Sequence, residues 1–329
     1  MKNKVIVTLL ALGALVASAA FDALPGHGQG TDKTAARAAV AQQMQAPAES
    51  TVRPTAAIRE RRAGSAELNA AFNAAAAQNL SLRNDLTWAF GGKQQRGWYL
   101  YVPLISRTLD TEGDAATPEF ASALARWQKT AGLSSNGVLD DQTLYKMVST
   151  WQAARLNSSA SPSPDQLVTA PTSDFWDTSR PAELRQVRSD AYAAYKRMVA
   201  AAVADPSLHL DATKDGELAA SERFLKIVSA FRSREYQEQL RRQSPNAGRA
   251  GLAVNSPHFT GCALDLYVGG DPVDTKDANR LLQVQTPVYQ WLVRNASKFG
   301  FRPYYYEPWH WEYVGGLNAD RAAATDSKN

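Results

Sequence analysis

Ser256-Pro257-His258-Phe259-Thr260-Gly261-Cys262-Ala263-Leu264-Asp265, followed downstream by Glu307-Pro308-Trp309-His310, is the stretch on which the reading of this chain turns. Together the two segments bring two imidazoles, one carboxylate able to join them on a metal, and one spare carboxylate. Two His and one Asp make a three-ligand set for zinc that leaves a fourth position open to water. Glu307, close in sequence to His310, is placed to handle protons. Side chains alternate across a strand, so a strand from Cys262 to Val268 places Ala263, Asp265 and Tyr267 on one face. Cys262, Leu264, Leu266 and Val268 fall on the other, which is apolar and suited to packing on helices. His258 lies at odd separation from Asp265, and Gly261 offers the bend that returns it to the same side. Pro308 and the dense aromatics speak for a bent strand rather than a helix around Glu307 and His310.

Working outward, the segment before this site mixes helix and strand signals without a βαβ rhythm. Pro181 to Ala204 reads as a long amphipathic helix and Leu225 to Phe231 as a strand. Ser233 caps a following helix that has Glu235 in its first turn. Thr286-Pro287 opens a helix to Lys298, stopped by Gly300. The fold class expected is α+β, with a small antiparallel sheet and flanking helices in the C-terminal domain.

The pattern S-x-H-x-x-G-x-A-x-D with a later E-x-W-H resembles the zinc D-Ala-D-Ala carboxypeptidases of the VanY type and their dipeptidase relatives. Ser256, His258, Gly261, Ala263, Asp265, Glu307, Trp309 and His310 fill every fixed position. The resemblance implies metal ligands His258, Asp265 and His310, a Zn2+ cofactor and Glu307 as the proton-handling group. Glu312 is the rival carboxylate for that role, or else a strand-face or rim residue. Phe231-Arg232-Ser233-Arg234-Glu235-Tyr236-Gln237 resembles the family's G-Y-R-S-x-x-x-Q segment, with Ala230-Phe231 in place of Gly-Tyr. It implies substrate contacts from Arg232 and Gln237. Arg232 would grip a terminal carboxylate, the alternative being an internal ion pair. Ser256 either bonds substrate or shapes its loop. Cys262 is the sole cysteine, so no intrachain disulfide exists. It reads as a small buried apolar group, with ligand or nucleophile as alternatives.

Six segments follow from composition. Residues 1–20, with Lys2, Lys4, an apolar run from Val5 to Val16 and Ala17-Ser18-Ala19, read as a signal peptide; the run is short for a retained anchor. Residues 21–80 are an Ala- and Gln-rich linker with transient helix. Residues 81–156 form a small helical module. There Thr117 caps, Pro118 opens, and Phe120, Leu124 and Trp127 share one face. This module resembles the peptidoglycan-binding modules of wall enzymes, a generic helical hairpin being the alternative. Residues 157–173 form a Ser/Pro linker, residues 174–318 the catalytic domain and residues 319–329 a tail. Formal charge is +4 over 329 residues, and +2 without Lys2 and Lys4, too weak to argue for nucleic acid.

The layout therefore implies an exported enzyme of periplasm or cell wall. It would act as a monomer on peptidoglycan stem peptides, off the membrane once the leader is cut. Water activated by the metal would release terminal D-Ala. The same ligand set serves L,D-carboxypeptidases, D-Ala-D-Ala dipeptidases and cross-link endopeptidases. A non-catalytic wall-binding protein with a structural zinc is the reading from another class.

Overall fold

A computed structural model describes residues 56–158, 160–243 and 255–315, with side chains from Glu67 onward. The expected leader and the C-terminal tail lie outside the described residues. The first described element is a helix, α1 (Ala56–Asp85), where a linker with transient helix was expected. Alanine has the best intrinsic helix propensity, and Ala75 and Ala76 are buried. The anchor is polar. The fully buried amide of Asn79 donates to the Gly137 carbonyl at 2.9 Å and accepts from the Leu139 N–H at 2.8 Å. Gly137 sits at φ +73°, and a Cβ there would lie 2.6 Å from the Ala121 carbonyl oxygen. Only glycine fits that approach.

A hairpin of β1 (Thr87–Phe90) and β2 (Lys93–Arg96) follows, then three helices: α2 (Val102–Leu109), α3 (Pro118–Thr130) and α4 (Asp141–Ala153). Thr117 caps α3 as expected, accepting from the Phe120 N–H at 3.3 Å. Phe120 and Leu124 are fully buried, and Trp98 stacks on Phe120 with centroids 6.0 Å apart. Trp127 is only partly buried at the margin of that face.

The Ser/Pro stretch ends in β3 (Leu167–Thr169), which pairs antiparallel with β4 (Gln186–Arg188). That pairing holds residues 186–188 extended, so the expected helix from Pro181 starts only at Ser189, as α5 (Ser189–Val203). The strand β5 (Ile227–Ser229) is shorter than the expected Leu225–Phe231, since Leu225 adopts φ 64°, outside strand geometry. Then come α6 (Arg234–Gln243), β6 (Ala263–Leu266), α7 (Asp277–Gln285), α8 (Pro287–Asn295), β7 (Phe301–Tyr304) and β8 (Glu307–Tyr313). The expected helix from Thr286 to Lys298 tightens to a 3-10 turn after Asn295 and stops at Gly300.

The main sheet has the order β5-β6-β8-β7, antiparallel throughout. The architecture is α+β, as the mixed pattern implied. One difference concerns organisation. The described residues form one compact unit, and a single hydrophobic cluster runs through both the helical module and the sheet. Buried Arg280 of α7 donates to the Tyr101 hydroxyl at 2.9 Å and lies 4.2 Å over the Tyr306 ring. The segment expected to separate two bodies is mostly exposed, and the parts on either side of it share one core.

Candidate metal centre and active site

The two inner strands carry the site. Asp265 of β6 and His310 of β8 are direct cross-strand partners, so their side chains emerge side by side. His258 stands in a short 3-10 turn, Pro257–Thr260, ended by Gly261 at φ 69°. This is the bend that corrects the odd spacing. Ser256 caps that turn, accepting from the His258 N–H at 3.4 Å, and also lines the cavity. Of its two expected roles, shaping the loop is visible in the geometry.

His258, Asp265 and His310 are all buried and offer ligand atoms within 4.8 Å of one another. The remaining ring nitrogens show which atoms are available. His258 Nδ1 lies 2.7 Å from the Ala230 carbonyl oxygen, which can only accept, so this nitrogen carries the proton and Nε2 is left toward Asp265 at 3.2 Å. His310 Nε2 lies 3.1 Å from Glu312 Oε1, leaving Nδ1 beside Asp265 at 2.9 Å. Each imidazole is thus braced by a partner on the far side, the arrangement that orients metal-ligating histidines. The donor set fits a small divalent cation of the zinc type. Among the described residues no other His, Cys, Asp or Glu cluster does so, and Cys262 is buried outside it. Burial pushes the Cys262 thiol up to about 11, which favours the inert protonated form.

The charges agree with that geometry. Burial pushes His258 down to about 4, with Arg232 adding to the effect. Burial also works against a charge on His310, yet its hydrogen bonds to Asp265 and Glu312 push it up to about 9. Burial would raise Asp265, but the two imidazoles hold its carboxyl well below the usual range. Metal binding at such a set releases protons.

Glu307 is reached by an irregularity in the sheet. Pro303 pairs with Trp311 and the next residue, Tyr304, pairs with Glu307, so residues 308–310 bulge away from β7. Bulges of this kind re-aim side chains next to active sites. The Glu307 carboxylate is buried. Its Oε2 is 4.0 Å from His310 Nδ1, and its Oε1 has no hydrogen-bond partner among the described residues. Burial, above all, pushes its carboxyl up to about 7. A buried, incompletely partnered carboxylate lining the site suits a proton-transfer group.

Glu307, His258, Asp265, His310 and Arg232 line one cavity of about 1110 Å³. Residues 184–316 match the family model VanY, described as D-alanyl-D-alanine carboxypeptidase. This part of the chain is similar to a VanY-type domain. The match runs from just before β4 to just past β8 and takes in Arg232, His258, Asp265, Glu307 and His310, in keeping with a peptidase domain; Arg155 and Arg180 lie outside it. No curated protein matches the chain at a significant level.

The remaining expected residues of the VanY-type domain fall as follows. Arg232 reaches the cavity but is held from behind. It donates to Ser229 Oγ at 3.0 Å, Gln237 Oε1 at 3.2 Å and Asp265 Oδ2 at 2.9 Å. The ion pair weighed as its alternative is present, and it is made to the Asp that anchors the ligand set. Gln237, expected to contact substrate, is buried behind Arg232 and is absent from the cavity lining. Its visible role is to steady the guanidinium. Glu312, weighed as a rival base, is fully buried. Its partners are His310, Arg155 and the Leu156 N–H, so it braces the His310 ring.

Two residues escaped the sequence reading. Arg180 lines the cavity and has no carboxylate within 4 Å among the described residues, and burial lowers its guanidinium from the ordinary value. Arg155, at the end of the helical module, pairs with Glu312. Strand parity signals Glu312, two residues beyond His310 on the same face. Nothing local signals Arg155, which is 157 positions from its partner.

Proposed function

We propose that this chain is an exported zinc-dependent D-alanyl-D-alanine carboxypeptidase that removes the terminal D-Ala of peptidoglycan stem peptides. The observation that carries this reading is the bare, buried Oε1 of Glu307 beside three braced ligands in one cavity. A merely structural zinc site has no use for that carboxylate. His258 through Nε2, His310 through Nδ1 and Asp265 would hold the ion. Zinc bound there supplies Lewis acidity, acidifying water and polarising the scissile carbonyl.

Glu307 accepts the proton of the attacking water at a carboxylate oxygen and delivers it to the departing D-Ala amine. A carboxyl held near about 7 can do both at neutral pH. Arg232 keeps two N–H donors beyond its three internal bonds. Together with Arg180 it makes the inner cavity cationic, which suits a free terminal carboxylate. The leader-like N-terminus and the wall-module-like helices support a site of action in the cell wall and a stem-peptide-directed enzyme.

The test uses purified zinc-loaded protein on a stem pentapeptide ending in D-Ala-D-Ala, as free acid and as C-terminal amide, and on the stem tetrapeptide, with products read by mass spectrometry. The free acid should lose one D-Ala. The amide, lacking one charge-assisted contact, should react about ten- to a hundred-fold less efficiently. Equal cleavage of acid and amide would instead mark an endopeptidase, and cleavage only of tetrapeptides an L,D-carboxypeptidase. No release from any of them, with zinc bound, would leave the wall-binding reading.

A further inference from the structure

Glu312 poses a physical problem that its own strand does not solve. It lies at the centre of the sheet, its side chain is 0% exposed, and both an imidazole and a guanidinium meet its carboxylate. A buried carboxylate persists only when paired and fully hydrogen-bonded. Among the described residues its partners come from two places. One is His310, whose Nε2 lies 3.1 Å from Oε1. The other is the end of the helical module. Arg155 donates to Oε1 through Nε at 3.1 Å and through Nη2, and the Leu156 N–H donates to Oε2 at 2.9 Å.

Arg155 is itself held in place. Its Nη1 donates to Gln152 Oε1 at 3.0 Å, one turn back along α4, and its guanidinium lies 4.0 Å from the centroid of the Tyr304 ring on β7. Planarity, stacking and a forked donor set are properties lysine does not share. We infer that Arg155 is a positioning residue of the metal centre: by fixing Glu312 it fixes the His310 ring, so that Nδ1 faces the ligand set. The helical module then contributes to metal affinity, in addition to any wall address it carries. This inference rests on His310 being a metal ligand.

The test measures zinc affinity of the full mature chain by competition with a chromogenic chelator, after stripping the protein of metal. Loss of an outer partner of a ligating histidine typically weakens metal binding about ten- to a hundred-fold. Arg155→Ala should show that loss. Arg155→Lys should recover part of it, since a point charge restores attraction without the fork. Glu312→Gln should weaken zinc to a similar extent. The Arg155→Ala/Glu312→Gln pair should cost little beyond Glu312→Gln alone, because both act through one contact. If Arg155 only packs, Arg155→Ala will lower the melting temperature of the metal-free protein and leave zinc affinity unchanged; that result overturns the inference. Should Arg155→Ala not fold, wild-type zinc affinity in both Arg155→Lys and Glu312→Gln overturns it equally. Failure of the underlying reading looks different: wild type binds no zinc, or His310→Ala binds it as tightly as wild type.

Discussion

At the scale of single residues, the site is a set of buried ionisable groups whose partners decide their charge. Glu307 is the exception that has none on one oxygen. Its folded pKa of about 7 lies above the ordinary 4.5. A raised pKa means that the Glu307 contribution to stability of the metal-free protein is complete below about 4.5. It is lost as pH rises through about 7. The effect amounts to at most roughly 3 kcal/mol. Glu307→Gln should therefore match wild type near the acid end and become the more stable protein toward pH 8. Urea unfolding of chelator-treated protein across that range measures the difference, and a flat difference would contradict the buried, unpartnered placement. Much of this site was legible because catalysis constrains residue type at short spacing: His258, Gly261, Asp265, Glu307 and His310 all lie within two short motifs. The roles of Arg232 and Gln237 were less legible. Whether a guanidinium meets substrate or a neighbouring carboxylate depends on tertiary placement, and here Ser229, Gln237 and Asp265 hold it from within.

At the scale of elements, caps and turns followed local chemistry closely. Thr117, Ser233 and Thr286 each accept from a backbone N–H at a helix start. Errors arose where a distant partner overrode local preference. The helix expected from Pro181 gives way to β4 because β3 pairs with it. The Ala-rich stretch has few large apolar side chains with which to pack, yet α1 is fastened by the Asn79 amide and the close approach its alanines permit. Asn79→Ala should leave a buried carbonyl and a buried N–H without their partner, at a cost of about 1–3 kcal/mol. The urea midpoint should fall by that amount with an unchanged slope. An unchanged midpoint would mean that α1 is not fastened through this residue.

At the scale of the whole molecule, the sheet β5-β6-β8-β7 sets the ligand positions, and the helical module closes over one flank of the site through α4. Composition pointed to two bodies on a Ser/Pro linker, and a low-complexity stretch does read that way on its own. What it could not disclose is a long-range ion pair such as Arg155 with Glu312, since nothing in either segment requires the other. The family-matched residues 184–316 contain every metal-ligand candidate, while Arg155, which braces one of them, lies outside. The central claim concerns the ligand set, and the most direct measurement is anomalous diffraction from crystals of the zinc-soaked protein, with data collected on both sides of the zinc absorption edge. The account predicts one strong peak per chain, bonded to His258 Nε2, Asp265 and His310 Nδ1, with Glu307 beside it but unbonded. A zinc-loaded crystal whose peak lies elsewhere, or whose His310 binds through Nε2 with Glu312 displaced, would contradict it.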